Sequence, residues 1–69
     1  MNPLRISTAI RTYRREHALN QTAFGDLFGV TPQAVSKWER ELACPDIALL
    51  PAIAKVLGVS VGYLLGESA

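Results

Sequence analysis

The chain has 69 residues, which suits one small domain, and we expect residues 1–69 to form it. Hydrophobic residues make up 49% of the chain, too many for intrinsic disorder, and the single cysteine, Cys44, excludes an intramolecular disulfide. No apolar run approaches the roughly 18 residues of a membrane-spanning helix. We therefore expect no membrane association and a cytoplasmic protein.

Positive charge is concentrated in the first part of the chain. Residues 1–40 carry six basic and three acidic side chains, a net charge of +3, whereas residues 41–69 carry one basic and three acidic side chains, a net charge of −2. The first segment is therefore the better candidate for contact with a polyanion, although an ordinary solvated surface would explain the same charges.

Hydrophobic spacing predicts five short helices and no strand, beginning with a helix over residues 4–17. Ile6, Ile10, Tyr13 and His17 recur there at three- and four-residue steps and define one face, with the arginines of the segment on the other side. His17 falls at the C-terminus of this helix, where positive charge is favoured.

The second helix is predicted over residues 21–28. Asn20 is suited to cap it through the side-chain oxygen, and Gly29 is suited to end it in the left-handed conformation. Gly25 lies in its middle, where glycine costs about 1 kcal/mol relative to alanine. We expect close approach of the third helix to offset that cost.

Thr31 as N-cap and Pro32 as first residue predict a third helix that runs to about Arg40. The short glycine-containing turn before it sets the second and third helices at a steep angle, which predicts a helix-turn-helix over residues 21–40.

The fourth helix is capped by Asp46 and contains Pro51, so we expect its regular part to begin near Leu50 and to stop at Gly58. Its expected inner face comprises Ile47, Leu49, Leu50, Ile53, Ala54 and Leu57. Ser60 is suited to cap a last helix over residues 61–65. The expected core of this compact all-α globule comprises Leu4, Ile10, Phe24, Leu27, Val35, Leu50, Ile53, Leu57 and Leu64.

The third helix presents a polar outer face once Val35 is placed inward. That face consists of Gln33, Ala34, Ser36, Lys37 and Arg40. Such a set suits the major groove of DNA, because glutamine can bond an adenine edge, lysine can reach guanine acceptors or a phosphate, and alanine permits close approach. An ordinary solvated face is the plain alternative. The glycine turn, Gly25 and the Thr-Pro start together favour DNA binding.

Two segments, LNQTAFGDLFGVTPQAVSKWERE and LLPAIAKVLGVSVGYLLGE, resemble the lambda-repressor-like family of helix-turn-helix DNA-binding proteins, which includes XRE proteins, Cro and phage repressors. The resemblance extends from about Ile6 to Glu67. It implies a five-helix fold, DNA binding by the third helix, a homodimer on a two-fold symmetric operator, and a bacterial or phage-encoded chain.

The resemblance also implies roles for individual residues. The implied DNA contacts are Arg14, Asn20, Gln21, Thr31, Pro32, Gln33, Ala34, Ser36, Lys37 and Arg40. Gln21 would also brace the third helix, and Arg14 would form a structural salt bridge with Glu39. Val59, Val61, Tyr63 and Leu65 offer more apolar surface than one short helix can bury, so they either pack entirely inside or form a dimer contact. The resemblance implies that they form the dimer interface.

Two positions depart from the family pattern. Pro32 stands where relatives often carry a polar base-reading residue, which would shift readout to Gln33 and Lys37. Glu41 replaces the glycine that commonly follows Trp-Glu-Arg, so we expect the third helix either to continue or to be strained at its end.

We therefore expect a sequence-specific DNA-binding transcriptional regulator, with repression favoured. The alternative is an antitoxin-type or other protein-interaction module. The sequence contains no evident nucleophile–base pair, carboxylate dyad or phosphate-binding glycine loop. We expect neither enzyme activity nor a cofactor, a metal site or a small-molecule substrate.

Overall fold

The computed structural model describes residues 5–66 and has, within that range, five α-helices, one turn of 3-10 helix and no strand. The helices are α1 (Ile6–Glu16), α2 (Gln21–Asp26), α3 (Pro32–Glu39), α4 (Leu50–Leu57) and α5 (Val61–Leu64), and the 3-10 turn is Ile47–Leu49. This arrangement confirms the all-α, five-helix prediction. No helix in the described range is long and apolar enough to cross a membrane.

N-cap side chains accept hydrogen bonds from the first turns of the short helices. Oδ1 of Asn20 accepts the backbone N–H three residues later at 2.7 Å, and Oγ1 of Thr31 does the same at 3.1 Å. Asp46 caps the 3-10 turn and Ser60 caps α5. Because the first amides of a helix lack partners within it, these oxygens stabilise the starting points that the sequence predicted.

The core lies between the helices, where α3 packs against α1 and α2, and α4 packs against α1 and α5. Its buried members are Ile6, Ile10, Phe24, Val35, Trp38, Leu50, Ile53, Ala54 and Leu64. Phe24 is fully buried, with its ring edge-on to Tyr13 at 6.1 Å and tilted against Phe28 at 5.1 Å, distances at which aromatic pairs attract.

Three residues lie differently from the predicted core pattern. Leu27 is 52% exposed, because α2 ends at Asp26, two residues before its predicted end, and Leu27 begins the turn. Leu57 is only half-buried at the last position of α4, and His17 is exposed beyond α1, with its ring stacked on Tyr13 at 4.0 Å. Leu4 lies outside the described residues.

The start of α4 follows from Pro51. Proline has no amide hydrogen and is tolerated in the first turn of a helix, and α4 begins at Leu50 as predicted. The preceding residues form the 3-10 turn instead, so Ile47 is 79% exposed and does not join the inner face expected for it.

Candidate nucleic-acid interface

A tight turn sets α3 against α2. Gly29 has φ +70°, and the N–H of Val30 donates to the carbonyl oxygen of Gly25 at 3.0 Å. A Cβ at position 25 would lie 2.6 Å from the carbonyl oxygen of Val30 and 3.4 Å from Cγ2 of Val35. The turn backbone therefore restricts position 25 more tightly than α3 itself, the neighbour expected from the sequence.

The two sides of α3 differ in chemistry. Its buried residues are Val35, Trp38 and Glu39. Gln33, Lys37 and Arg40 are exposed. They follow one another at steps of four and three residues, so they lie on one face of the helix. That face carries two cationic side chains and one carboxamide, all accessible to a large ligand.

The remaining candidates flank this face. Pro32, Ala34 and Ser36 are half-buried, whereas Thr31 and Asn20 are exposed at the starts of α3 and α2. The caps engage the oxygen acceptors of Thr31 and Asn20. Their donor hydrogens take no part in those bonds, which leaves hydroxyl and amide groups suited to an anionic oxygen.

An ion pair and one hydrogen bond connect α3 to α1 and α2, and a second hydrogen bond holds Arg14 to the loop before α2. Nε and Nη2 of Arg14 donate to the two carboxylate oxygens of Glu39 at 2.5 and 2.9 Å. Nη1 of Arg14 donates to the carbonyl oxygen of Leu19 at 2.9 Å, and Nε2 of Gln21 donates to Glu39 at 3.2 Å. The bidentate pairing of Arg14 with Glu39 holds the inner side of α3 in one orientation.

The carboxylate at the centre of this cluster remains charged. Burial, which leaves only 6% of Glu39 exposed, raises the pKa of its carboxyl. The hydrogen bonds from Arg14 and Gln21 and the positive charges of Arg14 and Arg11 outweigh burial, so the pKa of Glu39 lies below its ordinary value. The same hydrogen bond raises the pKa of Arg14. Arg11, absent from the predicted site, therefore contributes positive potential beside α3.

Glu41 ends the segment in a left-handed conformation, with φ +61°. The sequence left two possibilities for the end of the third helix, continuation or strain. The helix does not continue through Glu41, and the left-handed backbone there is strained for a residue other than glycine. Oγ of the buried Ser7 donates to Oε2 of Glu41 at 3.4 Å. No sequence pattern indicated this contact, because 34 residues separate the two positions.

The proposed dimer residues lie at the end of the described chain. Val59 and Val61 are half-buried, Tyr63 is 42% exposed and Leu65 is 47% exposed. The guanidinium of Arg5 lies 4.7 Å from the centre of the Tyr63 ring, so part of this surface is already covered within the chain.

Comparisons with known proteins agree with this geometry. A family model described as helix-turn-helix matches residues 10–64. The chain is 37% identical over 65 residues to repressor protein C2 of Salmonella phage P22. The aligned region covers 94% of this chain but only 30% of that repressor. The chain thus spans less than a third of the length of this relative.

Solved structures show the same fold. The crystal structure of the P22 c2 repressor in complex with a synthetic operator superposes with a TM-score of 0.79 at 35% identity, over 91% of this chain and 96% of that one. The structure of apo-HppE superposes with a TM-score of 0.69 at 29% identity, over 94% of this chain and 36% of that one. By family match, sequence identity and fold, the chain belongs to the lambda-repressor-like helix-turn-helix family.

Proposed function

We propose that this chain is a sequence-specific DNA-binding module of a transcriptional regulator, acting as a repressor, and that it works by binding rather than by catalysis. The observation that carries the proposal is the exposed face of Gln33, Lys37 and Arg40 on a helix whose opposite side is fixed by packing and by the Glu39 cluster. The operator complex of the similar P22 c2 repressor supports the same partner.

The dimensions of α3 suit insertion into the major groove. A helix with side chains is roughly 10–12 Å wide, and the groove is about 12 Å wide. Eight residues extend about 12 Å, enough to pass three or four base pairs. The exposed face of α3 would then meet the edges of a few consecutive bases.

The phosphate contacts are assigned around α3. Residues close to the DNA backbone in this arrangement are Arg14, Asn20, Gln21, Ser36 and Arg40, whereas Thr31 would face the bases at the start of α3. Pro32 and Ala34 would make apolar contacts, because neither side chain carries a polar group. Glu41 would lie near phosphates with the unfavourable charge and lower the affinity of the complex.

A homodimer would place two copies of α3 in successive major grooves on one side of the duplex. Half-sites for such dimers are separated by about one helical turn, roughly 34 Å. We assign the contact between copies to the apolar surface at the end of the chain, which consists of Val59, Val61, Tyr63 and Leu65.

The proposal is tested with Gln33→Ala and Lys37→Ala on an operator selected from random DNA. Each change is expected to weaken specific binding by about 1–3 kcal/mol in a gel-shift assay, because it removes a base contact and leaves the core untouched. Lys55→Ala, which removes an exposed lysine from α4, is the charge-matched control.

Circular dichroism would verify that all three variants keep the helical content of the wild type. If neither Gln33→Ala nor Lys37→Ala changes the affinity, or if Lys55→Ala weakens binding equally, the assignment of α3 as the reading element is wrong.

A further inference from the structure

We propose that the half-site contains an adenine·thymine pair read by Gln33 and a guanine·cytosine pair read by Lys37, one or two base-pair steps apart. The inference rests on the proposed function and names the DNA sequence class that α3 selects. It follows from the positions of these two exposed side chains on α3 and from the groups that surround them.

Gln33 and Lys37 are exposed side chains within α3 itself. Gln33 is the second residue of α3 and Lys37 follows one turn later, whereas Arg40 is the C-cap beyond the last helical residue. A separation of four residues corresponds to about 6 Å along the axis. Base pairs are about 3.4 Å apart, so the two side chains address pairs that are adjacent or separated by one pair.

The donor and acceptor inventory distinguishes the two bases. The carboxamide of Gln33 has one acceptor and one donor group, which complement N6 and N7 of adenine. The ammonium of Lys37 has three donors and no acceptor, which complement O6 and N7 of guanine and leave the amino groups of adenine and cytosine unmatched. Each side chain therefore favours a different pair.

The neighbouring residues offer little competition for these base edges. Pro32 and Ala34 have no polar side-chain atoms, and the oxygen of Thr31 accepts the amide of Ala34 as a cap. Glu39 is occupied by Arg14 and Gln21. Among residues 5–66, no carboxylate lies within ion-pair distance of Lys37, so its ammonium is available for an external acceptor.

A specificity switch tests the inference. Selection from a random DNA pool, followed by sequencing, would be performed with the wild type, Gln33→Ala, Lys37→Gln and the control Lys55→Gln. Lys37→Gln is expected to change one position of the half-site from guanine·cytosine to adenine·thymine, with discrimination of roughly 5- to 150-fold. Gln33→Ala is expected to relax an adenine·thymine position one or two steps away.

The outcomes separate this inference from the proposed function. If Lys37→Gln lowers binding to all sequences equally and reduces the salt dependence, Lys37 contacts a phosphate and the inference is overturned while operator recognition stands. Altered positions more than two steps apart would overturn it as well. If the wild type enriches no sequence at all, the proposed function itself fails.

Discussion

Gly25 lies where any larger side chain would meet the backbone of the turn between α2 and α3. Alanine favours a helix by about 1 kcal/mol over glycine, but its Cβ would lie 2.6 Å from the carbonyl oxygen of Val30, too close for a non-bonded contact. We expect Gly25→Ala to lower the free energy of unfolding by about 1–3 kcal/mol, measured by urea denaturation.

Thr22→Ala is the control for this experiment, because Thr22 is exposed on the same helix. Its effect should stay within about 0.5 kcal/mol. Equal stability of Gly25→Ala and Thr22→Ala would contradict the close approach of the turn.

Glu41 is the opposite case to Gly25, because its backbone conformation favours glycine but the residue has a side chain. A left-handed residue other than glycine costs about 1–2 kcal/mol, and φ of Glu41 is +61°. We expect Glu41→Gly to raise the free energy of unfolding by at most about 1 kcal/mol, because the greater freedom of the unfolded chain and the loss of the 3.4 Å hydrogen bond from Ser7 offset part of the relieved strain.

Ala18→Gly makes the same backbone comparison at φ +53° without a side-chain hydrogen bond. Thermal denaturation of both variants would measure the two effects. A decrease in melting temperature for both would show that the left-handed conformations carry no strain that glycine relieves.

At the scale of elements, the pairing of Glu39 with Arg14 makes the connection between α1 and α3 depend on pH. The pKa of Glu39 is lowered in the folded state, so the folded state binds fewer protons than the unfolded state in acid. The resulting stabilisation is complete above the unfolded pKa and is lost as the pH falls from about 5 through the folded pKa.

Glu39→Gln removes this proton-linked contribution. At pH 7 the variant should be less stable than the wild type by roughly 1.5–3 kcal/mol, because hydrogen bonds to a charged group are replaced by weaker ones. The difference should shrink as the pH is lowered, which urea titrations at pH 7, 5 and 3 would measure. A difference that stays constant over this range would exclude the charged pair as its origin.

Local signals account for the elements that the sequence predicted well. Asn20, Thr31 and Ser60 cap amides only three residues away, so a short window contains both partners. Leu27 and Ile47 were misplaced because their exposure depends on where neighbouring elements end and turn. Contacts across the chain carry no such local signal.

Part of the candidate site could be predicted from the sequence. Periodicity placed Val35 inward and left Gln33 and Lys37 outward, as the structure has them. The pairing of Arg14 with Glu39 came from family resemblance, since spacing alone cannot bring residues 25 positions apart together. Ser7 against Glu41 was not predicted, because it arises only when α1 packs beside the end of α3.

At the scale of the whole molecule, the proposed dimer is tested at Leu65. Placing a charge there should weaken association by about 1.5–3 kcal/mol, the value of burying one leucine side chain. Sedimentation equilibrium of Leu65→Lys would measure the change. Leu42→Lys, at a leucine that is 65% exposed in the loop after α3, is the matched control. Dissociation by Leu42→Lys alone would place the contact elsewhere.

The eight-residue length of α3 links recognition to the integrity of the entire globule. Isolated helices shorter than about 12–15 residues are marginal in water, so the reading surface persists only while the surrounding helices hold it. Under the proposed function, warming toward the melting temperature would deplete the DNA-binding form in step with the unfolded population, and substitutions in the core would behave as heat-sensitive alleles. Operator DNA would counter this loss, adding about 2.7 kcal/mol at a hundredfold excess over the dissociation constant.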